Sequence, residues 1–288
     1  MSRSKATIIA TAVILSASPL AAKPTTSGLA DANGLQMYYE VYGSGDPVVV
    51  LHGAYMSTGQ MQPLIDALAE TRQVIAVDLQ GHGRTADIDR PISYETMADD
   101  VAALMDAIDV PKADIFGYSM GGGVAYQIAI RHPDHVDRLA VASASFRTDG
   151  MYPELVKMMA TMTPDSMAGT PWEAAYIEVA PNLGGFPRLV EKLIAMDSEP
   201  QAWPETDMSG ISAPTLVISG DTDVIRPEHS VEIFRLRGGG PAADFMSPTA
   251  TELAIIPGAT HLGVIERSDL LVPMITAFFD KVIAPSTP

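Results

Sequence analysis

Ser119 lies in Gly117-Tyr118-Ser119-Met120-Gly121, a G-x-S-x-G run. A serine hydroxyl becomes a nucleophile only where it stands clear of its neighbours and a base can take its proton. Glycines on both sides of a tight turn let a strand and a helix approach closely around it. The amino end of the following helix favours negative charge that develops nearby. The bland alternative is a capping serine in a glycine-rich turn. The strand-like run at 115–118 and the helix-like run at 121–131 supply the context that the nucleophile reading requires.

Six histidines could serve as the base. His261, in Pro257-Gly258-Ala259-Thr260-His261, follows the last strand-like run and is expected in a loop at the same sheet rim as Ser119. His52 follows the first buried strand, and its neighbour Gly53 points to a backbone role. His82 reads as structural, His132 and His135 fall at the far face, and His229 opens a helix. His261 is therefore the candidate base.

A base of this kind needs a carboxylate to hold its tautomer and to stabilise the imidazolium. Asp221 and Asp223 both follow the penultimate strand, in Ser219-Gly220-Asp221-Thr222-Asp223. Asp221, directly after the glycine, reads as a turn former. Asp223 is better placed to reach the histidine loop. Asp149 is a more remote candidate. For the oxyanion of an acyl transfer, the candidate donors are the backbone N–H groups of Met120 and Ala54.

These residues need a scaffold that brings strand ends to one rim. From residue 35 the chain alternates strand-like and helix-like segments. The spacing predicts strands at 35–42 (an edge hairpin strand), 47–51, 74–79, 115–118, 136–142, 215–219 and 253–256. It predicts helices at 61–70, 94–108, 121–131, 227–236 and 270–282. Such alternation gives a mostly parallel sheet with helices on both faces, an α/β fold whose ligands bind beyond the carboxyl ends of the strands. The rhythm breaks at 147–210, which is rich in Met and Pro and reads as a helical insertion. The expected division is a core of 23–146 and 211–288 with 147–210 as a cap. The glycine- and proline-rich stretch 238–251 is expected at the face opposite the site.

Of the 288 residues, 47% are hydrophobic and 18% charged, which fits a globular chain and not a disordered one. With 18 basic and 35 acidic side chains the formal charge is −17. Such a surface repels phosphate backbones, so nucleic acid is not an expected partner. The absence of cysteine excludes disulfides, thiolate catalysis and cysteine-ligated metals. No metal cluster, phosphate loop or dinucleotide fingerprint occurs, so no cofactor is expected. Arg3 and Lys5 precede an apolar stretch at 6–20, and Ala21 and Ala22 follow. This pattern predicts an export signal over 1–22 and a periplasmic or secreted product, with no membrane span in the mature chain.

Taken together, Leu51-His52-Gly53, Asp78-Leu79-Gln80-Gly81-His82-Gly83-Arg84, Gly117-Tyr118-Ser119-Met120-Gly121-Gly122-Gly123 and Gly258-Ala259-Thr260-His261 resemble the α/β-hydrolase superfamily in its capped esterase branch. The chain order Ser119, Asp223, His261 is also that of the family. The resemblance covers about residues 33–284. It implies an eight-stranded, mostly parallel sheet with antiparallel first strands, and a cap over the site. It also implies that Asp78 and His82 are structural. The implied activity is cleavage of a carboxylic ester or lactone through an acyl-enzyme. Carbon–carbon bond hydrolysis and cofactor-free perhydrolysis are alternatives in the same family. Its dehalogenases and epoxide hydrolases use aspartate as nucleophile, which the serine argues against. A binding protein on the same scaffold would be expected to lack a triad member. Met151, Met158, Met159, Met162 and Met167, with Trp172, Tyr176, Phe186 and Trp203, suggest a small, uncharged, apolar substrate if they line a pocket. Packing between cap and core is the simpler role for them.

Overall fold

A computed structural model describes residues 22–240, 242–246 and 249–281. The export signal expected at 1–22 lies almost wholly outside the described residues. Among the described residues, no helix is long and apolar enough to cross a membrane.

Eight strands form one sheet: β1 (Thr26–Ala32), β2 (Leu35–Tyr42), β3 (Pro47–Leu51), β4 (Gln73–Val77), β5 (Ala113–Tyr118), β6 (Val136–Ala142), β7 (Thr215–Thr222) and β8 (Thr251–Thr260). Their order is β1-β2-β4-β3-β5-β6-β7-β8. The β1–β2 and β2–β4 pairs are antiparallel and the other pairs parallel. The eight-stranded α/β architecture is as the sequence implies.

The short β-branched run of β3 shows why the sheet is buried on both faces. Val49 and Leu51 enter one apolar cluster, and Val48 and Val50 enter the other. On the first side lie α2 (Tyr94–Ala107) and α3 (Met120–Arg131), with Met97, Val101, Val124 and Tyr126 in that cluster. On the second side lie α1 (Gln62–Leu68) and the last helix, α11 (Ser268–Phe279), through Leu64, Ile65, Leu271 and Ile275.

One strand differs from expectation. β2 is not the edge, because β1 pairs along its outer side. β1 is small and polar, with an alternating half-exposed pattern, so its sequence carries little strand signal. The hairpin signal is the turn. Asn33 and Gly34 hold φ of 51° and 81°, the left-handed pair that a two-residue hairpin requires.

Between β6 and β7 the chain leaves the sheet. Helices α4 (Pro153–Met159), α5 (Pro164–Met167), α6 (Pro171–Val179), α7 (Phe186–Ser198) and α8 (Glu205–Gly210) occupy this stretch, and it contains no strand. It departs and returns through a bridge between Arg147 and Ala202. Lys192 on α7 ties the segment to the loop before α2. Its Nζ donates to Asp87 Oδ1 at 2.7 Å and to the carbonyls of Ile88 and Arg90 at 2.6 and 2.7 Å.

Several histidines are structural and buried. His52 Nδ1 donates to the Gly53 carbonyl at 2.7 Å, and its Nε2 accepts the Leu79 N–H at 3.1 Å. His82 Nδ1 donates to the Gln80 carbonyl at 2.9 Å, while its buried Nε2 has no hydrogen-bond partner among the described residues. Asp78 accepts the Thr58 and Arg84 N–H groups, so the phrase around it locks two loops together.

Burial drives the pKa of His82 from 6.5 down to about 3. Unfolding then takes up a proton over that interval, so stability is lost as pH falls from 6.5 towards 3. The slope due to this one side chain is about 1.4 kcal/mol per pH unit. Denaturant unfolding at a series of pH values should show a shallower acid loss in His82→Gln than in the parent. Identical slopes would rule this contribution out.

Candidate active site

The site is built at the carboxyl ends of the parallel strands. Ser119 falls between β5 and α3, with φ of 55° and ψ of −120°. A non-glycine residue takes such a conformation only where its surroundings enforce it. Here they do so through close packing. A Cβ on Gly117 would come within 2.3 Å of the Gly121 carbonyl, and one on Gly121 within 2.4 Å of the Leu51 carbonyl. The glycines thus let the turn seat itself against the loop after β3, and the hydroxyl projects from the head of α3.

His261 is not in a loop. It is the first residue of a short helix, α10 (His261–Glu266), whose N-cap Thr260 accepts the Gly263 N–H. The capping threonine was the available sequence signal for that turn. The imidazole reaches both of its expected neighbours: Nε2 lies 2.9 Å from Ser119 Oγ and Nδ1 lies 2.7 Å from Asp223 Oδ1. In the neutral tautomer protonated at Nδ1, the ring donates to the carboxylate and accepts from the serine hydroxyl. The Asp223 side chain is fully buried and that of His261 is 22% exposed, so the ring can meet a substrate while its carboxylate cannot.

Asp223 is held by more than the histidine. Val224 N–H donates to Oδ1 at 2.7 Å, Gly220 N–H to Oδ2 at 3.1 Å, and Ser143 Oγ also to Oδ2. Burial pushes this carboxyl up. The hydrogen bonds from His261, Ser143 and Gly220 outweigh burial and hold it below the ordinary carboxylate value. Ser143 escaped the sequence reading. It directly follows β6, at the same rim as the other groups, and its position in the chain was the one available hint.

The remaining candidates are placed elsewhere. Asp221 accepts the Gly258 N–H at 2.8 Å at the surface, as a turn former does. Asp149 pairs with Arg147. His132 and His135 contact Asp99 and Asp106, and the buried His229 contacts Glu232. Met120, as the first residue of α3, has an N–H without an intrahelical acceptor. The Ala54 N–H donates to no backbone carbonyl among the described residues. Tyr118 adds a second tie between β5 and α10, its hydroxyl donating to the His261 carbonyl at 3.0 Å.

The inserted helices use most of their large side chains for packing. Met167, Tyr176 and Phe186 are buried in the core cluster, and Met158 is 58% exposed. A recess of about 690 Å³ lies beside α7, lined in part by Ile92, Tyr94, Met196 and Trp203. Ser119, Asp223 and His261 do not line it.

A strained serine between strand and helix, joined through histidine to a buried aspartate on an eight-stranded sheet, defines the class of fold and site. Sequence comparison agrees on the fold. Residues 46–174 match the α/β hydrolase fold family. The chain is 32% identical over 215 residues to a pimeloyl-[acyl-carrier protein] methyl ester esterase of Neisseria meningitidis serogroup B, covering 66% of this chain and 81% of that protein. It is 31% identical over 166 residues to a putative carbamate hydrolase of Azorhizobium caulinodans, covering 58% of this chain and 61% of that protein, less than two thirds of the relative's length. A meta-cleavage product hydrolase from Pseudomonas fluorescens superimposes with a TM-score of 0.66 at 23% identity, over 89% of this chain and 98% of that one. The chain belongs to the α/β-hydrolase family.

Proposed function

We propose that this protein is a serine hydrolase that cleaves carboxylic esters, lactones included, through an acyl-enzyme. The observation that carries the reading is the continuous contact from Ser119 Oγ through His261 to Asp223, with spacings of 2.9 and 2.7 Å. Ser119 Oγ attacks the carbonyl carbon as its proton passes to His261 Nε2. The oxyanion is received by the Met120 and Ala54 N–H groups. Collapse breaks the carbon–oxygen bond to the alcohol, which leaves with the proton from Nε2. Water then gives its proton to Nε2 and attacks the acyl carbon; the bond to Ser119 Oγ breaks, Oγ takes the proton back from Nε2, and the acid is released. Residues 147–210 act as a cap over this rim. The similarity to a methyl ester esterase supports ester as the substrate class.

Fluorophosphonate labelling tests the reading directly. One label per chain, mapped to Ser119 and blocking hydrolysis of aryl and methyl esters, is the expected result. Ester hydrolysis that survives complete labelling would remove it.

A further inference from the structure

Tyr118 ends β5 and immediately precedes Ser119, and it is 1% exposed. Its side chain lies in the apolar cluster that α1 and α11 share. A phenylalanine would fill that space without burying a hydroxyl, which is costly unless it finds a partner. Here the partner is the candidate base. The hydroxyl donates to the His261 carbonyl at 3.0 Å, and the phenol ring lies beside the imidazole of the same residue, centroids 5.2 Å apart and planes inclined by 35°. The ring also meets the loop after β3. A Cβ on Gly53 would come within 3.0 Å of Tyr118 Cε1 and 3.2 Å of its Cδ1. One side chain, carried by the residue before the nucleophile, thus touches the backbone and the ring of His261 and the loop that holds Ala54.

The segment that delivers His261 is fastened on two sides. Towards the acid, Asp221 accepts the Gly258 N–H at 2.8 Å and Thr222 Oγ1 donates to the Ala259 carbonyl at 3.0 Å. Both bonds register the segment on the end of β7, the strand that leads to Asp223. Towards the nucleophile, the 2.9 Å contact between Ser119 Oγ and Nε2 cannot do this alone, because the proton it contains is the one that moves. The Tyr118 bond to a backbone carbonyl loses no proton at any step, so it holds the same spacing before, during and after transfer. Small errors in such spacing are costly: about 1 Å of misplacement can take about a hundredfold from the rate.

We propose that Tyr118 is a positioning residue that sets the separation of Ser119 Oγ and His261 Nε2. The inference rests on those two side chains being nucleophile and base. Tyr118→Phe keeps the ring and removes the tie. It should lower kcat for a methyl ester by about tenfold. KM should stay within about twofold of the parent, and thermal unfolding within a few degrees of it. The rate of fluorophosphonate labelling should fall in parallel, since labelling needs the same transfer from serine to histidine and no alcohol leaving group. Tyr118→Leu, which removes the ring contact as well, should fall further, to about a hundredth of the parent in both rates. A purely structural tyrosine would lower the unfolding temperature and leave kcat and labelling of the folded variant at parent values. Parent-level kcat and labelling in Tyr118→Phe would therefore overturn the positioning role and leave the ester reading standing. A parent protein that labels at Ser119 but hydrolyses no ester would remove the ester reading, and the ratio of labelling rates would still decide the role of Tyr118. A parent protein that does not label would remove both.

Discussion

Ser119→Ala is expected to lower kcat for ester hydrolysis by about four to six orders of magnitude and to leave the fold intact. The loss is large because the reacting oxygen itself is removed. The fold survives because, among the described residues, Ser119 Oγ makes a single hydrogen bond, with His261 Nε2. The left-handed φ of 55° already strains serine, and alanine bears a similar strain. Thermal unfolding should accordingly shift by only a few degrees. Steady-state kinetics with a methyl ester, alongside circular dichroism, checks both halves. Parent-level turnover from a folded Ser119→Ala protein would end the proposed mechanism.

Asp223→Asn should cost about four orders of magnitude in kcat, for a different reason. The carboxylate accepts on both oxygens: His261 Nδ1 and Val224 N–H at Oδ1, Gly220 N–H and Ser143 Oγ at Oδ2. An amide has only one acceptor oxygen. If its NH2 faces His261, the ring must accept at Nδ1 and carry its proton on Nε2, where it can no longer take one from Ser119. If the NH2 faces Ser143 instead, the Gly220 N–H loses its acceptor, at about 1–3 kcal/mol. Since the native carboxyl is held below its ordinary value, its share of stability is present at neutral pH. That share fades as acid protonates the native carboxylate, so parent and variant converge in stability at low pH. Asp221→Asn changes a surface turn and should leave kcat within about threefold. Equal losses in the two variants would contradict the assignment of Asp223.

The sheet and the serine turn were legible because each rests on local patterning. The run Pro47–Leu51 can be little else than a doubly buried strand, and G-x-S-x-G between strand and helix defines its own geometry. The groups that were less visible depend on tertiary contact. β1 borrows its hydrogen bonds from β2 and brings few apolar side chains of its own. Ser143 is an ordinary serine until the fold carries it to Asp223, 80 positions away in sequence. His261 was readable as a rim residue, while the short helix that it opens was not, since a single turn carries too little periodicity.

The three groups proposed to react are delivered by the ends of β5, β7 and β8, and the last of them arrives at residue 261 of 288. A nascent chain can bury most of its sheet and still lack the group that takes the serine's proton. Under the proposed mechanism, turnover would therefore report that the final strand has docked, and a chain that ends before it should be chemically silent.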